Sequence, residues 1–364
     1  MLMKAVISKV GLILLAAVSS HSHAYEAEKI TTGLNIPWGL AYVDEQSMLV
    51  TERQGVVKRV NLETGKHQTL FTPEGVWTEG QGGLLDVALS PFDTDFKSKK
   101  VYFTYSKDIE GEGATTLAQA TYQNGRLTDW QDLFVSASRT DTGRHFGSRI
   151  AFDDNSLYFS IGDRGVRENG QDTLTHAGSI LRLQPDGSVP ADNPFINNSA
   201  ILDEIWSYGH RNPQGLVYDS NSQQLWSIEH GPRGGDEINL IKRGANYGWP
   251  ITSHGKEYWG PISVGDGKVK EGVEPPVKVY IPSIAPGSLV MYRGEKFPEL
   301  NGKLLAGALK LTHINVVTIN DAGKAIAEER IMAELGERIR DIEVTPKGDI
   351  YFSTDSGNLY RLKR

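Results

Sequence analysis

A pattern that recurs six times constrains this chain more than any other feature: a small residue, an apolar pair, an acidic or Pro-containing turn, then a strand ending in Ser or Thr near an acid. The copies begin at Pro37-Trp-Gly-Leu-Ala-Tyr42, Gly82-Gly-Leu-Leu-Asp-Val-Ala-Leu89, Gly147-Ser-Arg-Ile-Ala-Phe152, Gln214-Gly-Leu-Val-Tyr218, Gly287-Ser-Leu-Val-Met-Tyr292 and Ile339-Arg-Asp-Ile-Glu-Val344. Each leads to a second strand, such as Met48-Leu-Val-Thr-Glu-Arg53 or Ile350-Tyr-Phe-Ser-Thr-Asp355. A unit of this size cannot bury its apolar face alone and must stack on its neighbours, and about 57 residues per unit exceeds the ~40–50 of compact propeller repeats, leaving long loops. The expectation is an all-β chain forming a six-bladed β-propeller over residues 25–364 as a single domain. A two-sheet sandwich array also has regular strands, but at a spacing of about 8–12 residues without the longer period. Asp186-Gly187 and Lys347-Gly348 read as turns. The stretches 108–121 and 253–276 read as loops on a propeller face, and 325–335 is the best short helix candidate.

The first 24 residues have a short basic start, an apolar core from Val10 to Val18 and the ending Ser22-His-Ala24. The core is about half the ~20 residues of a spanning helix, so the segment reads as a secretory signal cut after Ala24. A periplasmic protein with no stable membrane insertion is expected. There is no Cys, which excludes disulfides, thiolate metal sites and covalently attached haem, and leaves oxygen-ligated hard metals. Without the signal, 36 Lys and Arg stand against 45 Asp and Glu, which argues against nucleic acid as a partner.

Chemistry-bearing residues gather in turn sequence: Ser207-Tyr-Gly-His-Arg-Asn-Pro-Gln-Gly215, Glu229-His-Gly-Pro-Arg-Gly-Gly-Asp-Glu237 and Gly244-Ala-Asn-Tyr-Gly-Trp-Pro250. In a propeller the innermost strands face a central channel, so Gln81, His145, Arg211, Asn212, the 229–232 turn, Lys310, Arg338 and Arg340 should converge. His145 sits in the Gly-flanked Gly143-Arg-His-Phe-Gly147, where an imidazole near neutral pH suits proton transfer. Arg338 and Arg340 share one face of a strand and suit a ligand with carboxylates or phosphates. The 229–237 run has the composition of a Ca²⁺ loop without the EF-hand signature. His210 and His230 lack the spacing of a transition-metal pair.

At these residues the chain resembles the soluble pyrroloquinoline quinone (PQQ) dependent sugar dehydrogenases of the glucose/sorbosone dehydrogenase family, most closely the bacterial aldose-oxidising branch. The likeness covers nearly the whole mature chain and is most specific at Gly209-His-Arg-Asn-Pro-Gln-Gly215, Asp236-Glu-Ile-Asn-Leu240, Gly244-Ala-Asn-Tyr-Gly-Trp-Pro250 and Ile161-Gly-Asp-Arg-Gly165. The resemblance implies PQQ over the channel mouth with Ca²⁺ at the quinone, His145 as general base and Arg211 polarising the quinone. It implies PQQ contacts at Gln81, Arg211, Asn212, Tyr258, Lys310, Arg338 and Arg340, cofactor-Ca²⁺ carbonyls at Gly231 and Pro232, and a second, structural Ca²⁺ at Glu237 and Tyr247. The substrate would be an aldose, the product a lactone, and the electrons would leave to a separate acceptor; a monomer and a homodimer are both open.

The chain departs from the glucose-oxidising branch where Arg144, not an acid, precedes the base, so Asp163 is the candidate carboxylate for His145, with capping of the Gly162-Asp-Arg-Gly165 turn as its other role. That branch also has aromatics where this chain reads Tyr280-Ile-Pro-Ser-Ile-Ala-Pro286, which predicts a more open pocket and broad aldose specificity. Two other readings stay open: a calcium-dependent lactonase-type hydrolase, which needs acid or amide side chains around its metal, and a non-catalytic binding propeller.

Overall fold

The computed structural model describes residues 25–93 and 98–364; the expected signal segment lies outside the described residues. Twenty-four strands form six four-stranded antiparallel sheets. The first strand of each sequence copy is the inner strand of a blade: β2 (Pro37–Asp44), β6 (Leu84–Leu89), β10 (Ile150–Phe152), β14 (Pro213–Asp219), β18 (Pro286–Met291) and β22 (Ile339–Val344). These strands pack against one another around a ring. The sixth blade is completed by the chain's beginning, where β1 (Glu26–Thr31) pairs with β24 (Leu359–Lys363) in the register Glu26↔Lys363.

The core lies between blades, because each sheet is apolar on both faces. Ala41, Leu49 and Val57 of the first blade pack on Val87 and Phe103 of the second, and Trp226 and Ile228 of the fourth on Leu304 and Ala306 of the fifth. The same arrangement joins the last blade to the first, through Tyr351 and Leu359 against Leu40, Met48 and Val50.

Two local expectations are corrected. Residues 108–121 are not a loop: β7 (Ser98–Ile109) and β8 (Glu112–Gln123) form a long hairpin. Its turn is Glu110-Gly111, both at positive φ (55° and 88°), the two-residue geometry that matches strand twist. Residues 325–335 are not an α-helix: β21 (Ala325–Ile331) is an edge strand paired with β20 (His313–Ile319), and only Ala333–Leu335 make a single 3-10 turn. Its helix-forming Ala and Glu residues are mostly exposed, so the open edge of β20 decides the conformation rather than propensity. The 253–276 stretch is irregular, as expected, and carries only isolated bridges.

On the axis, the Arg149 guanidinium joins the blades. Its Nη1 donates to Asp86 Oδ1 and Asp341 Oδ1, both at 2.8 Å. Nη2 donates to the Gly287 carbonyl at 2.8 Å and Nε to the Gln214 carbonyl at 3.1 Å. Asp341 Oδ2 in turn accepts the Leu40 N–H at 2.8 Å, so residues of all six blades are tied to one side chain. Burial pushes the Asp86 and Asp341 carboxyls up, and the Arg149 charge pulls them back. Below this plug the channel opens into a second cavity of about 500 Å³ that Glu343 lines, where burial pushes its carboxyl up to about 8.

Candidate active site

Above the plug, at the end where the inner strands begin, lies a cavity of about 620 Å³, the size of a cofactor or small-ligand site. Gln81, His145, Arg211, Asn212, Gly231, Pro232, Tyr258, Lys310, Arg338 and Arg340 all line it, from stretches spread over the whole chain. His230 of the expected 229–232 turn lines it as well, and Trp38, Arg53, Arg233 and Asp355, which were not anticipated, do so too. Trp38 forms the contact with the plug, its ring centroid 4.3 Å from the Arg149 guanidinium carbon. Glu237 and Tyr247 are not on this wall; they border a small neighbouring pocket with Glu229 and Thr252.

His145 is held in a left-handed backbone conformation, φ 54°, which is uncommon for a residue other than glycine and is fixed here by its surroundings. Three contacts do so. Its N–H donates to Gln81 Oε1 at 2.8 Å. Gly147 follows at φ 62°, its N–H donating to Asn212 Oδ1 at 3.1 Å. The ring Nδ1 lies 2.6 Å from Asp163 Oδ1.

Asp163 plays both roles considered for it. The same Oδ1 accepts the Gly165 N–H at 2.7 Å and so caps the turn, while Oδ2 accepts the Trp249 indole N–H at 2.8 Å. An ionised carboxylate on Nδ1 fixes the proton there and leaves Nε2 as the basic nitrogen. The orientation that Arg144 cannot give comes from Asp163. Burial holds the imidazole below its ordinary 6.5, with Asp163 pulling upward and Arg211 adding to the depression.

Beneath this loop, Arg164 is fully buried with its guanidinium carbon 3.3 Å from the Phe146 ring centroid. It donates to the carbonyls of Arg144, Gly113 and Thr142. With carbonyls in place of a paired acid, burial lowers it to about 9.

Arg211 is positioned from both ends. Its N–H donates to Glu229 Oε2 at 2.7 Å, and Nη1 donates to the Gly231 carbonyl at 2.8 Å and the His230 carbonyl at 3.2 Å. Its guanidinium lies 5.3 Å from the Trp249 ring centroid. Trp249 therefore touches both the carboxylate behind His145 and the cation beside it.

Arg338 and Arg340 converge as expected, but on Asp355: each Nε donates to one of its oxygens at 2.8 Å. Burial alone would raise Asp355, and the two guanidinium groups more than offset it. Tyr258 and Lys310 are exposed on the wall. The loop carrying Tyr258 is fastened by Glu257, whose two oxygens each accept from Arg167 at 2.7 Å.

His210 and His230 form no pair. His210 is enclosed between Ser207 Oγ at 2.9 Å and Glu229 Oε1 at 3.1 Å, whereas His230 contacts Gln214 Oε1 at 3.1 Å and burial lowers it to about 3. The Glu237 carboxyl is pushed well up, by burial first and then by the charge of Glu229. Among the described residues no group of three or more His, Asp or Glu side chains is arranged to hold a metal ion.

A six-bladed propeller with a cation-lined cavity and an oriented imidazole at the channel mouth defines the class of protein. The Glucose / Sorbosone dehydrogenase family matches residues 34–361, and the chain belongs to that family. The aldose sugar dehydrogenase YliI of Escherichia coli is 38% identical over 344 residues, covering 92% of each chain. The apo-form crystal structure of the soluble aldose sugar dehydrogenase from Escherichia coli superposes with a TM-score of 0.87 at 36% identity, covering 93% of this chain and 99% of that one. The PQQ-bound aldose sugar dehydrogenase from Streptomyces coelicolor gives a TM-score of 0.77 at 26% identity, covering 93% and 98%.

Proposed function

We propose that the protein is a periplasmic quinoprotein that oxidises aldose sugars at the anomeric carbon to lactones, passing electrons to a separate acceptor. The observation that carries this reading is His145, its Nδ1 held by Asp163 and its Nε2 left basic, on the wall of a cavity with six cationic side chains and one carboxylate. Such a wall suits a ligand with several carboxylates, as PQQ is. It suits a lactonase-type metal centre poorly, because its one carboxylate, Asp355, is engaged by two arginines.

PQQ, when bound, supplies a quinone that accepts hydride. Lys310, Arg338 and Arg340 would hold its carboxylates, with Gln81, Asn212 and Tyr258 as further contacts. Arg211 keeps a fixed positive charge at the cavity wall, where developing negative charge is stabilised without reorganisation. His145 Nε2 takes the proton of the anomeric hydroxyl as the carbon–hydrogen bond breaks, a general-base role typically worth ~10²–10⁴-fold.

Calcium is part of the same reading. Gly231 and Pro232 would supply neutral carbonyls, the Gly231 one also accepting from Arg211, so an ion there would need the cofactor's own oxygens to complete its shell. Glu237 fits a second, structural ion: its buried carboxylate faces Glu229 with no cation to compensate it. The Tyr247 hydroxyl is committed to Leu240 and Lys242, which leaves its carbonyl as the donor. Among the described residues no helix is long and apolar enough to cross a membrane.

The test is aldose-dependent reduction of an artificial acceptor by the apoprotein with PQQ plus Ca²⁺, with PQQ plus a chelator, and with neither. Activity only in the first supports the reading. No activity and no PQQ binding would overturn it.

A further inference from the structure

We propose that Arg53 selects aldoses that carry a carboxylate remote from the anomeric carbon, the hexuronic acids; this rests on the sugar-oxidising reading above. Arg53 directly follows β3 (Ser47–Glu52) as Asp355 directly follows β23 (Ile350–Thr354), and Asp163 lies two residues beyond β11 (Leu157–Ile161). Asp163 is met by His145 and Trp249, and Asp355 by two arginines. The Arg53 guanidinium, half-buried on the cavity wall, has no ion pair with any described residue within 4.0 Å. A guanidinium without a partner on a cavity wall is available to meet an anionic ligand.

Its position is fixed by the backbone. The Arg53 N–H donates to the Ile36 carbonyl at 3.2 Å, and its carbonyl accepts the Leu84 N–H at 3.1 Å. Gly83, at φ 147°, makes this approach possible, since a Cβ there would stand 1.9 Å from the Arg53 carbonyl oxygen. The stretch that begins at Gln81 also reaches His145, whose N–H it accepts. Arg53 is thus built onto the segment that holds the general base.

The charge inventory points the same way. Six cations and one carboxylate line the cavity, an excess of five positive charges, and the three carboxylates of PQQ would leave two. A divalent ion would raise that further, so the loaded site still attracts an anion. A sugar carboxylate matches the guanidinium fork and is unchanged in the reaction. The anomeric C–H bond would break with its electron pair leaving as hydride, which PQQ would accept; the hydroxyl proton would go to His145, a C=O bond would form at that carbon, and the product would be the lactone of an aldaric acid.

The experiment compares kcat/KM for glucuronate, glucose and glucose 6-phosphate in the wild type, Arg53→Gln and Arg53→Lys, each loaded with PQQ and Ca²⁺, at low and moderate salt. PQQ affinity is measured in parallel by absorbance titration. Glucuronate should be oxidised at least as efficiently as glucose by the wild type, and added salt should lower only the charged substrate. Arg53→Gln should reduce the glucuronate-to-glucose ratio about tenfold, Arg53→Lys should restore part of it, and PQQ affinity should hold within about twofold. A tenfold wild-type preference for glucose, or equal losses for both sugars with weakened PQQ binding, would overturn the proposal. Preference for the phosphate over glucuronate would also overturn it, assigning the site to phosphorylated sugars. Should no aldose be oxidised, the sugar-oxidising reading itself falls, and glucarate binding by calorimetry that is identical in wild type and Arg53→Gln would overturn the role of Arg53 separately.

Discussion

Arg149 of the third blade and Asp341 of the sixth meet on the propeller axis, Nη1 to Oδ1 at 2.8 Å. The contact joins opposite blades across the axis, and Asp341 carries it on to the first blade through Leu40. Arg149→Met would leave Asp86 and Asp341 buried without their cation. Removing one partner of a buried pair typically costs about 3–5 kcal/mol. The variant should therefore unfold at clearly lower denaturant, and a midpoint equal to wild type would show that the plug is not needed to hold the blades.

His145→Ala should retain PQQ binding while losing at least ~10²-fold in turnover. In the wild type, burial lowers the imidazole from 6.5, so the neutral, basic form persists to lower pH. The acid limb of kcat/KM should accordingly fall below pH 6.5. A limb above that value would assign the titration to another group.

Trp249→Phe removes the indole N–H from Asp163 Oδ2, together with the smaller ring of the indole, while keeping an aromatic ring beside Arg211. One hydrogen bond to a charged group is worth about 1.5–3 kcal/mol, so kcat should fall about tenfold or more with PQQ affinity little changed. The acid limb should move upward, because a carboxylate with one donor fewer stabilises the His145 cation more strongly. An unmoved pH profile would reduce Trp249 to packing.

Glu343 makes a different pH prediction. Its folded-state value of about 8 lies above the ordinary 4.5, so the native state holds this proton more tightly than the unfolded chain. The stability it contributes is present below about pH 4.5 and is lost as pH rises toward 8. Glu343→Gln, neutral throughout, should melt higher than wild type at pH 8–9, with the gap closing toward pH 5. A gap constant with pH would contradict the shift.

The propeller was legible because its repeat places chemistry at equivalent positions, and those positions can only converge on a channel. Arg338 and Arg340 were readable for that reason. Asp355 between them was not, since its role depends on the pairing of β22 with β23, in which Ile339 faces Thr354. Arg149 lay within a recognised motif, yet its function exists only on the axis, where partners from distant blades arrive together. The 325–335 segment misled because an edge strand inherits its conformation from a neighbour's unpaired backbone. Asp163 carried two candidate roles in the sequence, and one carboxylate oxygen serves both.

The pairing of Glu26 with Lys363 makes the last blade a joint product of the chain's opening and closing strands. Among the described strands β1 is synthesised first and β24 last, so their ladder forms only after the rest have been made. Until then the sixth blade lacks its outer strand, and the edge of β24 is open to any extended segment nearby. Clipping within 26–31 would therefore strip the sixth blade of its outer strand and leave the first and last blades joined only by their shared core and the Asp341–Leu40 contact.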